Sequence, residues 1–291
     1  MTQRLPFYFS IDFEDFHYDV CRAIGHKNPK NKENALYESY ESISKLTKKY
    51  FNHKKMTFFS TGILARQFPD LIKKIFDDGN EIGCHYNFHD RISDSNRQEF
   101  SRNLDEAITS IESATGEKPI GFRAPFFGIE SNNLWAYEEI AKRFKYDSSY
   151  RISSKYSDNV LYNHLSKLGL DMKEFFVYEK PLLGNFLKIR TGGTFLRIFS
   201  SRMIIKIMQE ANSKGHMPLI YLHPYEFNNK KKFWIKWNDL YSLSYLHRTI
   251  FWLRQMQWSH LGHSSVESKI SHISKFFDHQ GPMRQIILKN K

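Results

Sequence analysis

The stretch FYFSIDFED, at positions 7–15, decides the fold of this chain. Residues 7–11 are aromatic or β-branched except for one serine, which predicts a short buried strand. Three acidic residues, Asp12, Glu14 and Asp15, come directly after it. A helix cap or a solvated turn would explain one of them, but three acids within four positions are more than a cap needs. The stretch therefore predicts a strand whose carboxyl end carries functional carboxylates.

Strands and helices alternate along much of the remaining chain. Strand-like segments occupy residues 56–60, 81–84, 119–122 and 217–222, and helical patterns occupy residues 64–76, 103–115, 133–144 and 203–213. This alternation predicts βαβ units and a parallel sheet or barrel. His85, Arg123 and His223 directly follow three of the strands. Because the carboxyl ends of parallel strands converge on one face, the pattern predicts a barrel enzyme with its site there.

His85 and His89 form the most specific local motif, within GCHYNFHD at positions 83–90. Two histidines four positions apart lie on the same side of one helical turn, so both can reach a single cation. A carboxylate from the first strand would complete a set of two imidazoles and one oxygen ligand, which leaves positions open for water and substrate. The alternative is a solvent-facing pair, since the chain has 13 histidines.

Arg123 and His223 suit the chemistry of such a site. A guanidinium at the end of a strand can hold a carboxylate in a fixed orientation; the alternative is a surface ion pair. His223 would suit a proton donor that works near neutrality; the alternative is a buried, hydrogen-bonded histidine. Cys84, beside His85, is interpreted as a buried small side chain rather than a soft metal ligand.

The composition describes an ordinary folded protein. Of the 291 residues, 41% are hydrophobic and 25% are charged, which excludes a disordered chain and a collagen. The net charge of +12 favours anionic partners such as nucleic acid, acidic lipid or an acidic glycan. Residues 230–291 contain eleven Lys and Arg against three acidic residues, so most of the surplus lies in this last part. No nucleic-acid-binding signature is present, and nucleic acid is therefore not an expected partner.

The cellular location follows from weaker signals. The first ten residues lack the features of a secretory signal, and no apolar run is long enough to span a bilayer. Two cysteines, Cys21 and Cys84, make a disulfide framework improbable. The sequence therefore predicts a cytoplasmic protein.

Several ordered blocks resemble the polysaccharide deacetylases of the NodB-homology superfamily, carbohydrate esterase family 4, and in particular their exopolysaccharide and O-antigen branch. The blocks are SIDFEDFH (10–17), MTFFSTG (56–62), FP (68–69), GNEIGCH (79–85), FRAP (122–125), YDSS (146–149), GGTFLR (192–197) and HPYEF (223–227). The resemblance spans about residues 5–227. It implies a distorted (β/α)7 barrel, an α/β fold, that removes an N-acetyl group from an amino sugar with Zn²⁺ or a similar divalent ion.

The resemblance also implies a role for each matching residue. His85 and His89 match the metal histidines, and Asp12 matches the general base. Arg123 matches the arginine that orients this base, and His223 matches the general acid. The predicted substrate contacts are Pro125, Leu222, which precedes the acid histidine, and Tyr225. The common motif has two adjacent aspartates, whereas here Phe13 separates Asp12 from the next acid, so either Glu14 or Asp15 remains open as the metal carboxylate.

The resemblance divides the chain into a barrel, residues 1–227, and a basic, aromatic-rich, mainly helical extension, residues 228–291. Four of the five tryptophans, Trp234, Trp237, Trp252 and Trp258, lie beside cations in this extension. Such a segment suits contact with an anionic membrane at the inner face of the cell membrane, where a lipid-linked glycan would be found; alternatively its aromatic residues pack on the barrel. The expected substrate is an N-acetylated glycan of a bacterial surface polysaccharide or its lipid-linked precursor. The alternatives are hydrolysis of another C–N bond, in a cyclic amide or ureide, and an inactive glycan-binding barrel.

Overall fold

The strand predicted at residues 7–11 is strand β1 (Leu5–Phe13), and it is two residues longer at each end. It pairs in parallel with two strands that carry later parts of the site. The computed structural model describes residues 3–26, 29–129, 133–153, 159–182, 187–228 and 232–289. All side chains of β1 from Phe7 onward are buried, because a strand with neighbours on both sides and helices on its face has no exposed surface.

Eleven strands are present in the described residues. They are β1, β2 (Thr57–Ser60), β3 (Glu81–Cys84), β4 (Gly121–Phe122), β5 (Tyr146–Asp147), β6 (Arg151–Ser153), β7 (Lys173–Glu174), β8 (Val177–Leu182), β9 (Leu187–Ile189), β10 (Leu219–Leu222) and β11 (Phe277–His279). Eight of them form a curled parallel sheet, with seven in the order β10-β1-β2-β3-β4-β5-β7 and β11 paired beside β1. The predicted α/β fold with a distorted barrel is therefore confirmed. A smaller sheet pairs β6 in parallel and β9 in antiparallel fashion with β8.

Twelve α-helices accompany these strands in the described residues. They are α1 (Phe16–Ala23), α2 (Glu33–Tyr50), α3 (Gly62–Gln67), α4 (Pro69–Asp77), α5 (Arg97–Thr115), α6 (Trp135–Ala141), α7 (Asn159–Lys167), α8 (Gly193–Ile198), α9 (Ser201–Ser213), α10 (Tyr245–His260), α11 (Val266–Ile273) and α12 (Arg284–Lys289). None of the helices in these ranges is long and apolar enough to cross a membrane.

One predicted helix is wrong in detail. Residues 64–76 form two helices, α3 and α4, which meet at Phe68 and Pro69. Phe68 leaves the helical region, with φ −130° and ψ 57°, because the proline ring disfavours helical geometry in the residue before it. Pro69 itself starts α4, where its missing N–H costs no hydrogen bond.

The C-terminal segment contributes to the sheet. β11 pairs in parallel with residues 5–7 of β1, and its His279 lies among the buried rings of Phe7, Phe9 and Phe51. The rest of the described segment is mainly helical, as expected. The division of the chain at residue 227 stays a prediction.

Candidate active site and metal centre

Glu14, His85 and His89 converge at the carboxyl ends of β1 and β3. One ligand atom from each lies within 4.8 Å of the others. Glu14 Oε2 is 2.7 Å from His89 Nε2 and 3.5 Å from His85 Nε2. Burial opposes ionisation of Glu14, but the charge of His89 and the closeness of both imidazoles outweigh it and hold the pKa of Glu14 well below its usual range. A positive charge at this point therefore stabilises the carboxylate.

The surroundings of His85 and Glu14 fit a cation. His85 Nδ1 is 2.8 Å from the carbonyl oxygen of Arg123. A carbonyl oxygen only accepts, so Nδ1 carries the hydrogen and Nε2 turns its lone pair toward Glu14. Glu14 Oε2 is buried and makes no hydrogen bond, despite the nearby imidazole nitrogens. Two nitrogen atoms and one carboxylate oxygen are a donor set typical of catalytic divalent ions.

The two histidines do not lie on a helical turn, contrary to the prediction from their spacing. Residues 85–90 form an irregular loop after β3, and Tyr86 adopts a left-handed conformation with φ 67°. This bend turns the chain back, and the imidazole centroids of His85 and His89 lie 5.4 Å apart. The pairing predicted from spacing is present, but a strained loop produces it.

Glu14, His85 and His89 are called the metal-type cluster below. Asp15 lies outside this cluster and caps helix α1. Its Oδ1 accepts hydrogen bonds from the backbone N–H groups of His17 and Tyr18, at 3.0 and 3.1 Å. Its Oδ2 accepts the backbone N–H of Lys32. Both carboxylate oxygens are thus occupied by amides, as in an N-cap. Of the two acids left open by the sequence, the structure brings Glu14 to the histidines and Asp15 to the helix.

Asp12 is held by Arg123 in the floor of the same site. Arg123 Nη1 is 2.5 Å from Asp12 Oδ1 and 2.8 Å from Ser10 Oγ. Its other nitrogens donate to the carbonyl oxygen and hydroxyl of Ser148, at 3.2 and 2.9 Å, and its carbon lies 4.2 Å from the ring centre of Phe59. The guanidinium is fully buried. These contacts fix the direction of the Asp12 carboxylate and supply its counter-charge.

His223 follows β10 and faces Asp12. Its Nε2 lies 3.9 Å from Asp12 Oδ2, and its Nδ1 lies 3.2 Å from Glu226 Oε2. Burial opposes protonation, but the hydrogen bond to Glu226 and the charges of Glu14, Glu226 and Asp12 outweigh it and raise the pKa of His223 to about 9. The imidazole is therefore protonated at neutral pH and has a proton to donate.

These groups open into a cleft of about 430 Å³. Among the lining residues are Asp12, His85, His89 and His223. Tyr225, a predicted substrate contact, also lines the cleft, and its ring stacks on His223 with centroids 5.0 Å apart. The other two predicted contacts, Pro125 and Leu222, are buried and are not among the lining residues.

Sequence reasoning missed several residues of this site. Glu226 and Arg197 form a fully buried ion pair, with 2.8 Å between Nε and Oε1. Both lie in blocks quoted for the resemblance, and a charged residue within each apolar block was a signal that was available. Asp19 also lines the cleft, and its buried Oδ2 has no hydrogen-bond partner among the described residues. No sequence pattern indicates Asp19, because only the orientation of α1 brings it to the cleft.

Two adjacent phenylalanines form another part of the cleft that the sequence did not indicate. Phe126 and Phe127 both adopt left-handed backbone conformations, with φ of 59° and 53°, which is costly for aromatic residues and is typical of functional sites. Phe126 is half exposed and its ring lies 4.3 Å from that of His89. Phe127 lies deeper in the cleft wall.

Two family profiles match parts of the chain that contain residues of this site. A sequence profile of the polysaccharide deacetylase family matches residues 34–145, which include His85, His89 and Arg123. A second profile, described as a domain of unknown function (DUF3473), matches residues 157–259, which include His223.

Curated relatives match over shorter stretches. The chain is 38% identical over 95 residues to the peptidoglycan deacetylase-like protein FGM2 of Gibberella zeae, covering 33% of this chain and 28% of that protein. It is 34% identical over 108 residues to the peptidoglycan deacetylase of Helicobacter pylori, covering 37% and 35% of the two chains. The chain thus spans about a third of the length of these relatives.

A solved structure extends the likeness to the whole fold. The crystal structure of a protein from Mycobacterium smegmatis assigned to the polysaccharide deacetylases superimposes with a TM-score of 0.56 at 16% identity. The match covers 99% of this chain and 94% of that one, and it concerns the fold alone. Through residues 34–145, this chain carries a domain of the polysaccharide deacetylase family.

Proposed function

We propose that the protein is a metal-dependent N-deacetylase that removes an acetyl group from an amino sugar of a glycan. The observation that carries this proposal is the meeting of Asp12 and His223, 3.9 Å apart, beside the cluster of Glu14, His85 and His89. Amide hydrolysis needs a base for the attacking water and an acid for the departing nitrogen. Both groups face one cleft next to a site suited to a cation.

Asp12 is the general base in this proposal. Its Oδ1 is engaged by Arg123, which leaves Oδ2 free to take a proton from the water that attacks the acetyl carbonyl. Arg123 is a positioning residue, because it is buried beneath Asp12 and acts on the reaction through the direction and charge of that carboxylate.

His223 is the general acid. An amine leaves poorly as an anion, so the sugar nitrogen must receive a proton as the C–N bond breaks. Glu226 accepts the Nδ1 hydrogen, which keeps the remaining proton of His223 on Nε2, the atom that faces Asp12 and the cleft. The Glu226 carboxylate is in turn held by Arg197.

Glu14, His85 and His89 would hold the divalent ion, with Zn²⁺ as our proposal for the native metal. Such an ion polarises a carbonyl and lowers the pKa of bound water. The hydrogen bond from His85 Nδ1 to the Arg123 carbonyl orients the imidazole for this role. Arg123 thus contacts both parts of the proposed site. Its side chain binds Asp12, and its carbonyl oxygen accepts the hydrogen bond of His85.

Acetate release tests this proposal directly. The metal-loaded protein is expected to release acetate from N-acetylated oligosaccharides, and metal analysis is expected to give about one ion per chain. Cyclic amides and ureides serve as rival substrates. Turnover of these compounds without acetate release would contradict the proposed deacetylation, and metal-independent glycan binding without any turnover would favour an inactive barrel.

We propose further that the enzyme works in the cytoplasm at the inner face of the membrane, on a lipid-linked precursor of a surface polysaccharide. Helix α10 presents a stripe of exposed apolar side chains, which includes Leu246 and Leu253 with 66% and 61% of their surface accessible. The full stripe is Tyr245, Leu246, Ile250, Leu253 and Met256. Residues 230–260 carry six Lys and Arg against one acid, so the segment complements an anionic bilayer.

The position of α10 supports the same proposal. Phe251 and Trp252 of α10 pack around a small core with Phe16 and Val20 of α1, and these two α1 residues also line the cleft. A bilayer that contacts α10 would therefore lie beside the cleft. Trp234 and Trp237 pack against Trp252. Lys230, Lys231 and the side chain of Trp258 lie outside the described residues.

A further inference from the structure

Arg190 is a cation in the cleft wall to which the proposed reaction gives no role. It follows β9 and lines the cleft together with Asp12 and His223. Its guanidinium carbon lies 5.7 Å from the ring centre of Phe127 and 5.5 Å from that of Phe195. Two aromatic rings thus hold the planar group in place, and a preorganised guanidinium loses little freedom when it binds a ligand.

The guanidinium of Arg190 has unused donors. It makes no hydrogen bond within the described part of the chain, and its Nε is buried without a partner. Glu179 Oε1 lies 3.7 Å from Nε, which is an ion-pair distance but too long for a hydrogen bond. The same carboxylate lies 3.8 Å from Arg151 and 4.0 Å from Lys188. One negative charge is therefore shared among three cations.

The charge of the lining supports a role in binding. The carboxylates of Asp12, Glu14 and Asp19 line the cleft, and among the described lining residues Arg190 is the one Lys or Arg side chain. Its side chain is 24% exposed, so its outer nitrogens can be reached from the cleft. A group that accepts several hydrogen bonds and carries a negative charge would pair best with this guanidinium, which is the chemistry of a carboxylate or a phosphate.

We propose that Arg190 selects glycans in which an anionic substituent, the carboxylate of an acidic sugar or a phosphate, accompanies the N-acetyl group. This inference rests on the proposed deacetylation and names its substrate class. The planar fork of Arg190 receives two oxygens of the substituent while the acetyl group lies at Asp12 and His223. Arg190 is a specificity residue and takes no part in proton transfer.

The test compares three substrates of similar length with purified metal-loaded enzyme. They are a neutral N-acetylglucosamine oligomer, an oligomer in which N-acetylglucosamine alternates with a uronic acid, and an oligomer that carries a terminal phosphate. The wild type is expected to prefer one or both anionic substrates. Arg190→Gln is expected to lower kcat/KM about tenfold to a hundredfold on the preferred substrate, as is usual for lost hydrogen bonds to charged groups, and less than about threefold on the neutral one.

Lys188→Gln is the matched control, because Lys188 lies two residues away and contacts the same Glu179 carboxylate. This variant is expected to keep the preference. Arg190→Lys keeps the charge but loses the fork, and should fall between wild type and Arg190→Gln. The anionic substrate on which activity is lost shows whether Arg190 binds a carboxylate or a phosphate. Equal losses on neutral and anionic substrates, or no loss on either, would overturn the proposal.

Calorimetry separates this inference from the proposed function. At low salt, the wild type is expected to bind the anionic oligomer more tightly than the neutral one, and Arg190→Gln should remove that difference. If no substrate releases acetate but the difference in binding is present, the proposed reaction fails and the anion site stands. If acetate is released but the binding preference is absent or survives in Arg190→Gln, the anion site fails alone.

Discussion

Glu226 holds His223 at two atoms, since its Oε2 accepts hydrogen bonds from the backbone N–H at 3.0 Å and from Nδ1 at 3.2 Å. Its Oε1 is bound by Arg197 at 2.8 Å. One buried carboxylate therefore controls both the position and the protonation of His223, the proposed general acid. In turn, the charge of His223 and its hydrogen bonds, with the charge of Arg197, overcome the effect of burial and lower the pKa of Glu226.

The pH profile of Glu226→Gln tests this control. His223 must be protonated to act as an acid, so wild-type activity should decline as the pH rises through about 9. The amide removes the negative charge, and the basic limb of the profile should move toward the ordinary histidine value near 6.5. We expect a loss of about tenfold or more at pH 8 and a small loss at pH 6.

Glu210→Gln is the control for this profile, because Glu210 is a partly exposed carboxylate on α9 that pairs with Lys180. It should leave both limbs unchanged. A uniform loss at every pH in Glu226→Gln would indicate that the carboxylate supports structure and has no influence on the acid.

The contrasting roles of Glu14 and Asp15 can be separated by metal analysis. Glu14→Gln should reduce bound metal and activity together, because it removes the oxygen of the three-residue cluster. Asp15→Ala should keep the metal but lower the free energy of unfolding by about 1–2 kcal/mol, the usual cost of losing an N-cap. Loss of metal in a folded Asp15→Ala protein with normal metal in Glu14→Gln would reverse the assignment.

Asp12→Asn should separate metal binding from catalysis. Asp12 lies outside the metal-type cluster, so the variant should keep its metal, while acetate release should fall by about 10²–10⁴-fold with the loss of the base. The substitution preserves shape, and Arg123 retains its contacts with Ser10 and Ser148. Ser153→Ala, a change at a buried serine of β6, serves as the comparison. Wild-type rates in metal-replete Asp12→Asn would exclude Asp12 as the base.

The exposed stripe of α10 should govern vesicle binding. The double variant Leu246→Ser/Leu253→Ser removes apolar area from the stripe and should reduce co-sedimentation with anionic vesicles severalfold. Leu168→Ser, at an exposed leucine after α7, should bind as the wild type does. Unchanged vesicle binding by the double variant would contradict a membrane role. If the wild type forms concentration-dependent dimers and the double variant does not, the partner of the stripe is a second copy of the chain.

His279 should make the stability of the protein depend on pH. Its Nδ1 accepts the N–H of Phe9, and its Nε2 donates to the Lys55 carbonyl, so the buried ring is neutral. Burial lowers the pKa of His279 to about 4. The unfolded chain binds this proton at a higher pH, so the stabilisation is complete above about pH 6.5 and is lost as the pH falls toward 4, by up to about 3 kcal/mol.

Denaturant titrations from pH 7 to pH 4 measure this effect. His279→Gln should be less stable at pH 7 but should lose less stability on acidification than the wild type. His53→Gln, at an exposed histidine, should reproduce the wild-type slope. A wild-type slope in His279→Gln would assign the pH dependence to other groups.

The regular part of the fold could be predicted from local patterns. β3 occupies the predicted residues 81–84, and β1, β2 and β10 overlap their predicted segments closely, because buried parallel strands are continuous apolar runs. β5 and β7 are two-residue strands, and they are too short to give a periodic signal. β11 pairs with a strand at the other end of the chain, so local sequence holds no information on its partner.

The residues of the candidate site, like the strands, could be predicted only in part from the sequence. The resemblance pointed to the residues of the proposed metal and acid–base site, and their positions after strands explain why the fold brings them together. It left Glu14 and Asp15 open because the choice depends on the direction of the chain after β1, where Asp15 turns to the amides of α1. The role of Glu226 could not be read from spacing, because it depends on a contact with Arg197 from α8.

The pairing of β11 with β1 has a consequence for biosynthesis. Strand β1, which carries Asp12, is translated well before its neighbours β10 and β11, which follow after about 205 and 263 further residues. Strand β1 must therefore wait, with an apolar edge unpaired, until these later strands have been translated. Such late, long-range pairing slows folding and exposes the edge to aggregation. We therefore expect recombinant yield to depend on chaperone supply and growth temperature more strongly than the stability of the finished protein would suggest.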